Sequence, residues 1–133
     1  MTLRRDVVIL ACAVSAGIHG ALAPAHFAEG AGAGVGFVAS TILLATLAVF
    51  LTVRPASSLP VAGAALVFAG LLGSYALATT VGLPLLHPHP DPVDSLALVT
   101  KAFEVVGLVT AVNLLRRRAA VSLQLIQPKG TPA

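Results

Sequence analysis

Lys101 and Glu104 stand three residues apart inside an apolar run, Val93–Leu115. An ionisable side chain within hydrocarbon costs at least ~2.5–3.5 kcal/mol to insert and is ordinarily offset by a partner. On a helix this spacing puts the two on one face. Side chains lean toward a helix N-terminus, so Glu104 can reach back to Lys101 while Lys101 snorkels toward the nearer surface. At the helical rise, Lys101 lies roughly 12 Å and Glu104 roughly 16 Å below the outer end of that run. His19, in an earlier run, lies roughly 19 Å above its own inner end, a level close to that of Lys101. His19, Lys101 and Glu104 can therefore form one polar cluster that holds a proton, an ion or a small ligand. A structural ion pair beside a buried histidine is the competing reading. Tyr75 and Thr80, with Thr79, bring hydroxyls to the outer half of a third run, where they either complete such a pocket or bond within their own helix.

A second set of candidates has the chemistry of metal ligands. His26 and Glu29 follow His19 at helical spacing, and His87-Pro88-His89-Pro90-Asp91-Pro92 presents alternating donors on a stiff, extended scaffold. Imidazole and carboxylate groups suit a divalent transition metal such as zinc, copper, nickel or iron, so His26, Glu29, His87, His89 and Asp91 are the candidate metal site. The segment contains no CxxC pair or HExxH pattern, and a rigid solvated turn explains its composition equally well. Haem would need two axial histidines facing across the interior, and only His19 falls clearly within an apolar run.

The elements that must position these groups are four apolar runs, Val7–Phe27, Ala33–Val53, Pro60–Gly82 and Val93–Leu115, each close to the ~20 residues of a spanning helix. With 57% hydrophobic and 10% charged residues, the composition departs from that of a soluble domain in the same direction. The expected fold is all-α: an integral membrane four-helix bundle in residues 1–123, followed by an irregular tail over residues 124–133. Arg4 and Arg5 precede the first run, Arg54 follows the second, and Arg116, Arg117, Arg118 and Lys129 follow the fourth. Lys/Arg-rich flanks stay cytoplasmic, which puts both termini inside and His26, Glu29, His87, His89 and Asp91 near the outer face. The basic residues then serve as topology anchors beside anionic headgroups, and no recognition motif supports nucleic-acid binding.

Small residues recur in the runs, including Gly17 and Gly20, Gly63, Gly70 and Gly73, and Gly107 with Ala111. In lipid they are the expected packing code, either within one chain or between chains of a homo-oligomer or larger membrane complex. Pro24 removes a backbone donor and predicts that the first helix kinks or ends near Ala23, with Ala23–Gly36 as a re-entrant or interfacial segment. The single Cys12 excludes an internal disulfide. Arg4-Arg5, the apolar core after them and Ala23-Pro24-Ala25 also resemble a cleavable signal peptide. Retention of the first helix is the simpler reading, because cleavage would leave three spans.

The pattern His19-x2-Leu22-x-Pro24-x-His26-x2-Glu29, with Thr80-x-Gly82-Leu83-Pro84 and Asp94-x6-Lys101-x2-Glu104, resembles a group of small, uncharacterised four-span bacterial integral membrane proteins. The resemblance covers most of Gly17–Leu115 and implies a multi-pass protein of the bacterial cytoplasmic membrane. It supplies no activity. Where those proteins often have Arg before the Thr of the second motif, this chain has Thr79, which weighs against an anion-binding role for that position. Together these readings lead to a non-enzymatic protein with an outward-facing polar site for a metal ion or small polar ligand. The alternative is a structural or accessory subunit of a larger membrane complex.

Overall fold

A computed structural model describes residues 2–82 and 93–126, the last two by backbone alone. Four helices make up these residues, α1 (Thr2–Glu29), α2 (Ala31–Val53), α3 (Leu59–Thr80) and α4 (Ser95–Ile126), and no strand occurs among them. All four are long and apolar enough to cross a membrane. The shortest, α3 with 22 residues, spans about 33 Å at the helical rise, against a hydrocarbon thickness of about 30 Å.

The distribution of side-chain size identifies the solvent. The buried core includes Ala11, Cys12, Ala16, Ala64 and Ala111, with Leu44, Phe68 and Leu114 as its larger members. Large apolar side chains point outward: Ile42 is 60% exposed and Leu66 74%. In water such a surface would be an extensive association patch. Against lipid tails it carries no penalty, and small residues inside let the helix backbones approach closely.

Successive helices run antiparallel. Ile9 lies with Ala48 and Val49 across the α1–α2 pair. Ser15 meets Glu104 across α1 and α4, and Tyr75 meets Lys101 across α3 and α4. α1 packs most extensively on α2 and next on α4, while α3 packs chiefly on α4. Gly107 sits at the meeting point of three helices, where an added methyl group would overlap the Phe68 ring and Ala11. Arg118 then ties α4 to the α2–α3 turn, its guanidinium donating to Ser57 O at 2.6 Å and Pro55 O at 3.0 Å. Arg4, Arg5, Arg54 and Arg116–Arg118 thus gather at one end of the bundle, and His26 and Glu29 lie at the other.

The expected re-entrant segment over Ala23–Gly36 is not formed. α1 continues through Pro24 to Glu29, and Gly30 alone separates it from α2. Gly30 N–H donates to His26 O at 3.0 Å to close α1, and Gly30 O accepts from Gly34 N–H at 3.1 Å to open α2. Proline costs one backbone bond, to Gly20 O, but an irregular loop would leave several groups to be satisfied in a medium that offers no partners. The reversal is tight because the Phe27 ring folds onto Gly34, where any Cβ would collide with it.

Helix ends also differ from the apolar runs. α1 begins at Thr2 and takes in Arg4, Arg5 and Asp6, while α4 runs past Leu115 through the three arginines to Ile126. Hydropathy marks where a helix leaves hydrocarbon rather than where its hydrogen bonding stops. Gln124 is therefore helical, whereas the rest of the expected tail from residue 127 lies outside the described residues.

Candidate functional site

The polar side chains of α1 and α4 meet in one buried cluster. Ser15 and His19 are one turn apart on the face of α1 that carries Val8, Ala11 and Cys12, and Glu104 projects at them from α4. Ser15 and Glu104 have no exposed surface, and His19 is 6% exposed. The Ser15 hydroxyl donates to Glu104 Oε1 at 2.9 Å, and Lys101 Nζ donates to Glu104 Oε2 at 2.7 Å, so each carboxylate oxygen has a partner from a different direction. His19 Nε2 stands 4.0 Å from Glu104 Oε1. Its Nδ1–H donates to Ser15 O at 2.8 Å, which orients the ring, and makes a longer contact of 3.4 Å to the Ser15 hydroxyl.

α3 closes one side. The Lys101 ammonium lies 5.3 Å from the centre of the Tyr75 ring, within range of a cation–π attraction. The Tyr75 hydroxyl oxygen is buried and has no hydrogen-bond partner among the described residues. Thr80 makes a different use of its hydroxyl, which donates to Ala76 O at 2.6 Å within α3, as Thr79 does to Tyr75 O at 2.9 Å. Thr80 is exposed, and neither threonine bonds to the cluster.

A second polar pair sits two turns farther along α1. His26 Nδ1–H donates to Leu22 O at 3.0 Å, and Nε2 lies 4.0 Å from Glu29 Oε2. Phe37 of α2 stands against both imidazoles: stacked on His26 with centroids 3.6 Å apart, and tilted against His19 at 5.2 Å. No hydrogen bond or ion pair joins Glu29 to Lys101 or Glu104 among the described residues. His87, His89 and Asp91 lie outside the described residues. Within the described residues, no group of three or more His, Cys, Asp or Glu side chains is arranged to hold a metal ion.

Two members of the site escape a reading by charge and metal chemistry. Ser15 is a common helix residue in lipid, and its only signal is its position four residues before His19. Phe37 shows nothing but aromatic character in an apolar run, so its place between two histidines depends on how α1 and α2 pack. Comparison with known proteins gives no further lead: no family model matches the chain, and no curated protein or solved structure matches it significantly.

Proposed function

We propose that this chain is a multi-pass protein of a bacterial cytoplasmic membrane, with both termini in the cytoplasm. In this reading the cluster of Ser15, His19, Lys101 and Glu104 binds a metal ion or small polar ligand that enters from the outer face, as a binding or transport accessory rather than an enzyme. The orientation follows from the six arginines at one end of the bundle, which the positive-inside rule assigns to the cytoplasm. The observation that carries the function is Glu104: a carboxylate with no exposed surface, held by groups from two helices in an otherwise apolar interior. Such a group is expensive in lipid, and intramembrane ionisable residues concentrate where ions or polar substrates are handled.

The test is thermal unfolding of the detergent-purified protein across a panel of divalent metals and small polar solutes, for the wild type and Glu104→Gln. A ligand at a hundredfold excess over its dissociation constant stabilises by about 2.7 kcal/mol, a readily measured shift. Saturable stabilisation by one member of the panel that is absent in Glu104→Gln supports the reading. Equal stabilisation of both proteins rejects the site. The second reading, an accessory subunit of a larger complex, is favoured by one feature of α3: Gly70 and Gly73 are exposed, and a methyl group added at either would meet no side chain or neighbouring helix within 4 Å among the described residues. Extraction in mild detergent separates the two, because a subunit co-purifies with its complex and a self-sufficient binding protein does not require one.

A further inference from the structure

Between α1 and α2, at the arginine end of the bundle, runs a groove that the polar cluster does not use. Ile9 lines it from α1, and Ala48, Val49, Thr52 and Val53 line it from α2, around a space of about 250 Å³. Val49 and Val53 are 60% and 63% exposed, and the Thr52 hydroxyl is turned back to Ala48 O at 2.8 Å, so the lining is almost wholly apolar. A polar solute has nothing to bond there. A single turn of a partner helix, about 10 Å wide with a pitch of about 5.4 Å, fills about 420 Å³, more than the groove holds, whereas an extended hydrocarbon chain can lie along it.

The mouth of the groove is cationic. Arg5 lies one turn before Ile9 on the same face of α1, and Arg54 follows Val53 directly at the end of α2. Arg54 is exposed, with its guanidinium 5.8 Å from the centre of the Phe50 ring. Arg5 keeps 24% of its side chain exposed, yet its Nε–H is buried and has no hydrogen-bond partner among the described residues. Asp6 Oδ1 stands 3.8 Å from that nitrogen, beyond hydrogen-bond range, on a side chain that is 57% exposed to solvent. A charged donor buried without an acceptor carries the cost of an unmade bond.

We infer that this groove holds one anionic phospholipid, with an acyl chain along Ile9, Val49 and Val53 and the phosphate on Arg5 beside Arg54. Such a molecule joins an apolar chain to an anionic group, as the groove and its mouth require. A guanidinium presents Nε–H and Nη–H on one edge, matched to two phosphate oxygens, and a turn of the Arg5 side chain toward the mouth gives the buried Nε–H its acceptor. Free phosphate would meet the arginines and leave the groove to bulk lipid tails. A zwitterionic lipid would fill the groove but bring its ammonium to the arginines. The site shares no residue with the cluster of Ser15, His19, Lys101 and Glu104, so it stands or falls independently of ligand binding there.

The test is native mass spectrometry of the full chain released from bilayers of phosphatidylglycerol and phosphatidylcholine in equal parts, with the dissociation constant of the retained lipid read from a titration in detergent. One phosphatidylglycerol should be retained in preference to phosphatidylcholine. Arg5→Gln should weaken its binding about tenfold or more through loss of the charge-assisted pair. Arg4→Gln removes the same charge from the next position around the helix and should weaken it by no more than about threefold. Val49→Phe fills the groove from an exposed position and should weaken binding as much as Arg5→Gln, with the helical circular dichroism unchanged. Glycerol phosphate, a headgroup without chains, should not displace the lipid. Equal losses in Arg5→Gln and Arg4→Gln would reduce the effect to surface charge and overturn the site, as would undiminished binding in Val49→Phe or displacement by glycerol phosphate. A lipid-free dimer that dissociates in Val49→Phe would give the groove to a second copy of the chain and overturn the inference as well.

Discussion

Replacing Lys101 by Met separates the structural and functional roles of the ion pair. The change keeps side-chain length but leaves Glu104, with no exposed surface, facing a thioether where it had an ammonium at 2.7 Å. Two unit charges at that separation attract by about 6 kcal/mol at an effective dielectric of 20. Part of that attraction offsets desolvation, and measured costs of removing one member of a buried pair fall near 3–5 kcal/mol. Lys101 keeps 15% of its side chain exposed, so the lower end of that range, about 3 kcal/mol, is expected here. The double variant Lys101→Met/Glu104→Leu removes both charges and should recover most of the loss, because apolar pairs of similar volume often match or exceed buried ion pairs. A residual cost of about 1 kcal/mol remains for the Ser15 hydroxyl, which loses its acceptor and must turn to its own helix. Reversible unfolding in mixed micelles gives the three free energies. If the single variant lies within 1 kcal/mol of wild type, or the double variant is no more stable than the single one, the buried-pair argument fails. A double variant that folds well but no longer responds to ligand would make the pair's role functional.

Three further outcomes follow from the packing and the charge distribution. Gly107→Val should destabilise the bundle by about 1–3 kcal/mol, because its side chain must enter space held by the Phe68 ring and Ala11; a neutral result in the same unfolding assay would contradict the three-helix contact. Arg118→Gln should cost about 1 kcal/mol and raise amide hydrogen exchange across residues 54–59, whose carbonyls at Pro55 and Ser57 lose their donor; unchanged exchange there would show that the clasp contributes nothing. Single cysteines at Gly30 and at Ser57, in a Cys12→Ala background, should label with an impermeant maleimide from opposite sides of a sealed membrane, Gly30 from outside. Labelling of both from one side would refute the up-and-down topology.

Much of this fold can be read without coordinates because lipid removes alternatives. A run of twenty apolar residues has one way to satisfy its backbone, and arginines at alternate junctions order the runs in space. The Lys101–Glu104 contact belongs to the same class, since a three-residue spacing in a helix is enough to bring the two together. What depends on packing between helices is not written so locally. Ser15 meets Glu104 from 89 residues away, and only the register of α1 against α4 makes it a ligand of that carboxylate. Pro24 misleads for a related reason: its penalty is a property of one residue, while the continuity of α1 reflects every backbone group around it. The hydropathy of Leu115–Ile126 falls where α4 leaves hydrocarbon, yet nothing in that drop requires the helix to stop.

The cluster also resolves a difficulty posed by the rest of the core. Alanine and glycine offer a smooth surface on which one helix can slide or rotate against another at little cost, and no hydrophobic drive in lipid opposes it. Directional bonds do oppose it. A shift of one residue along α1 would carry Ser15 off Glu104 Oε1 and His19 off the same oxygen, leaving a buried carboxylate with one of its partners gone. Register is therefore set by the polar groups and close approach by the small ones. A role in register alone, however, requires only the Ser15–Glu104–Lys101 chain, whose bonds already serve both carboxylate oxygens. His19 adds a basic nitrogen to that closed set, at a desolvation cost that packing does not demand. An apolar residue of similar volume at position 19 should thus retain the fold and its register while abolishing the stabilisation by metal or polar solute, whereas the same replacement at Glu104 should disturb both.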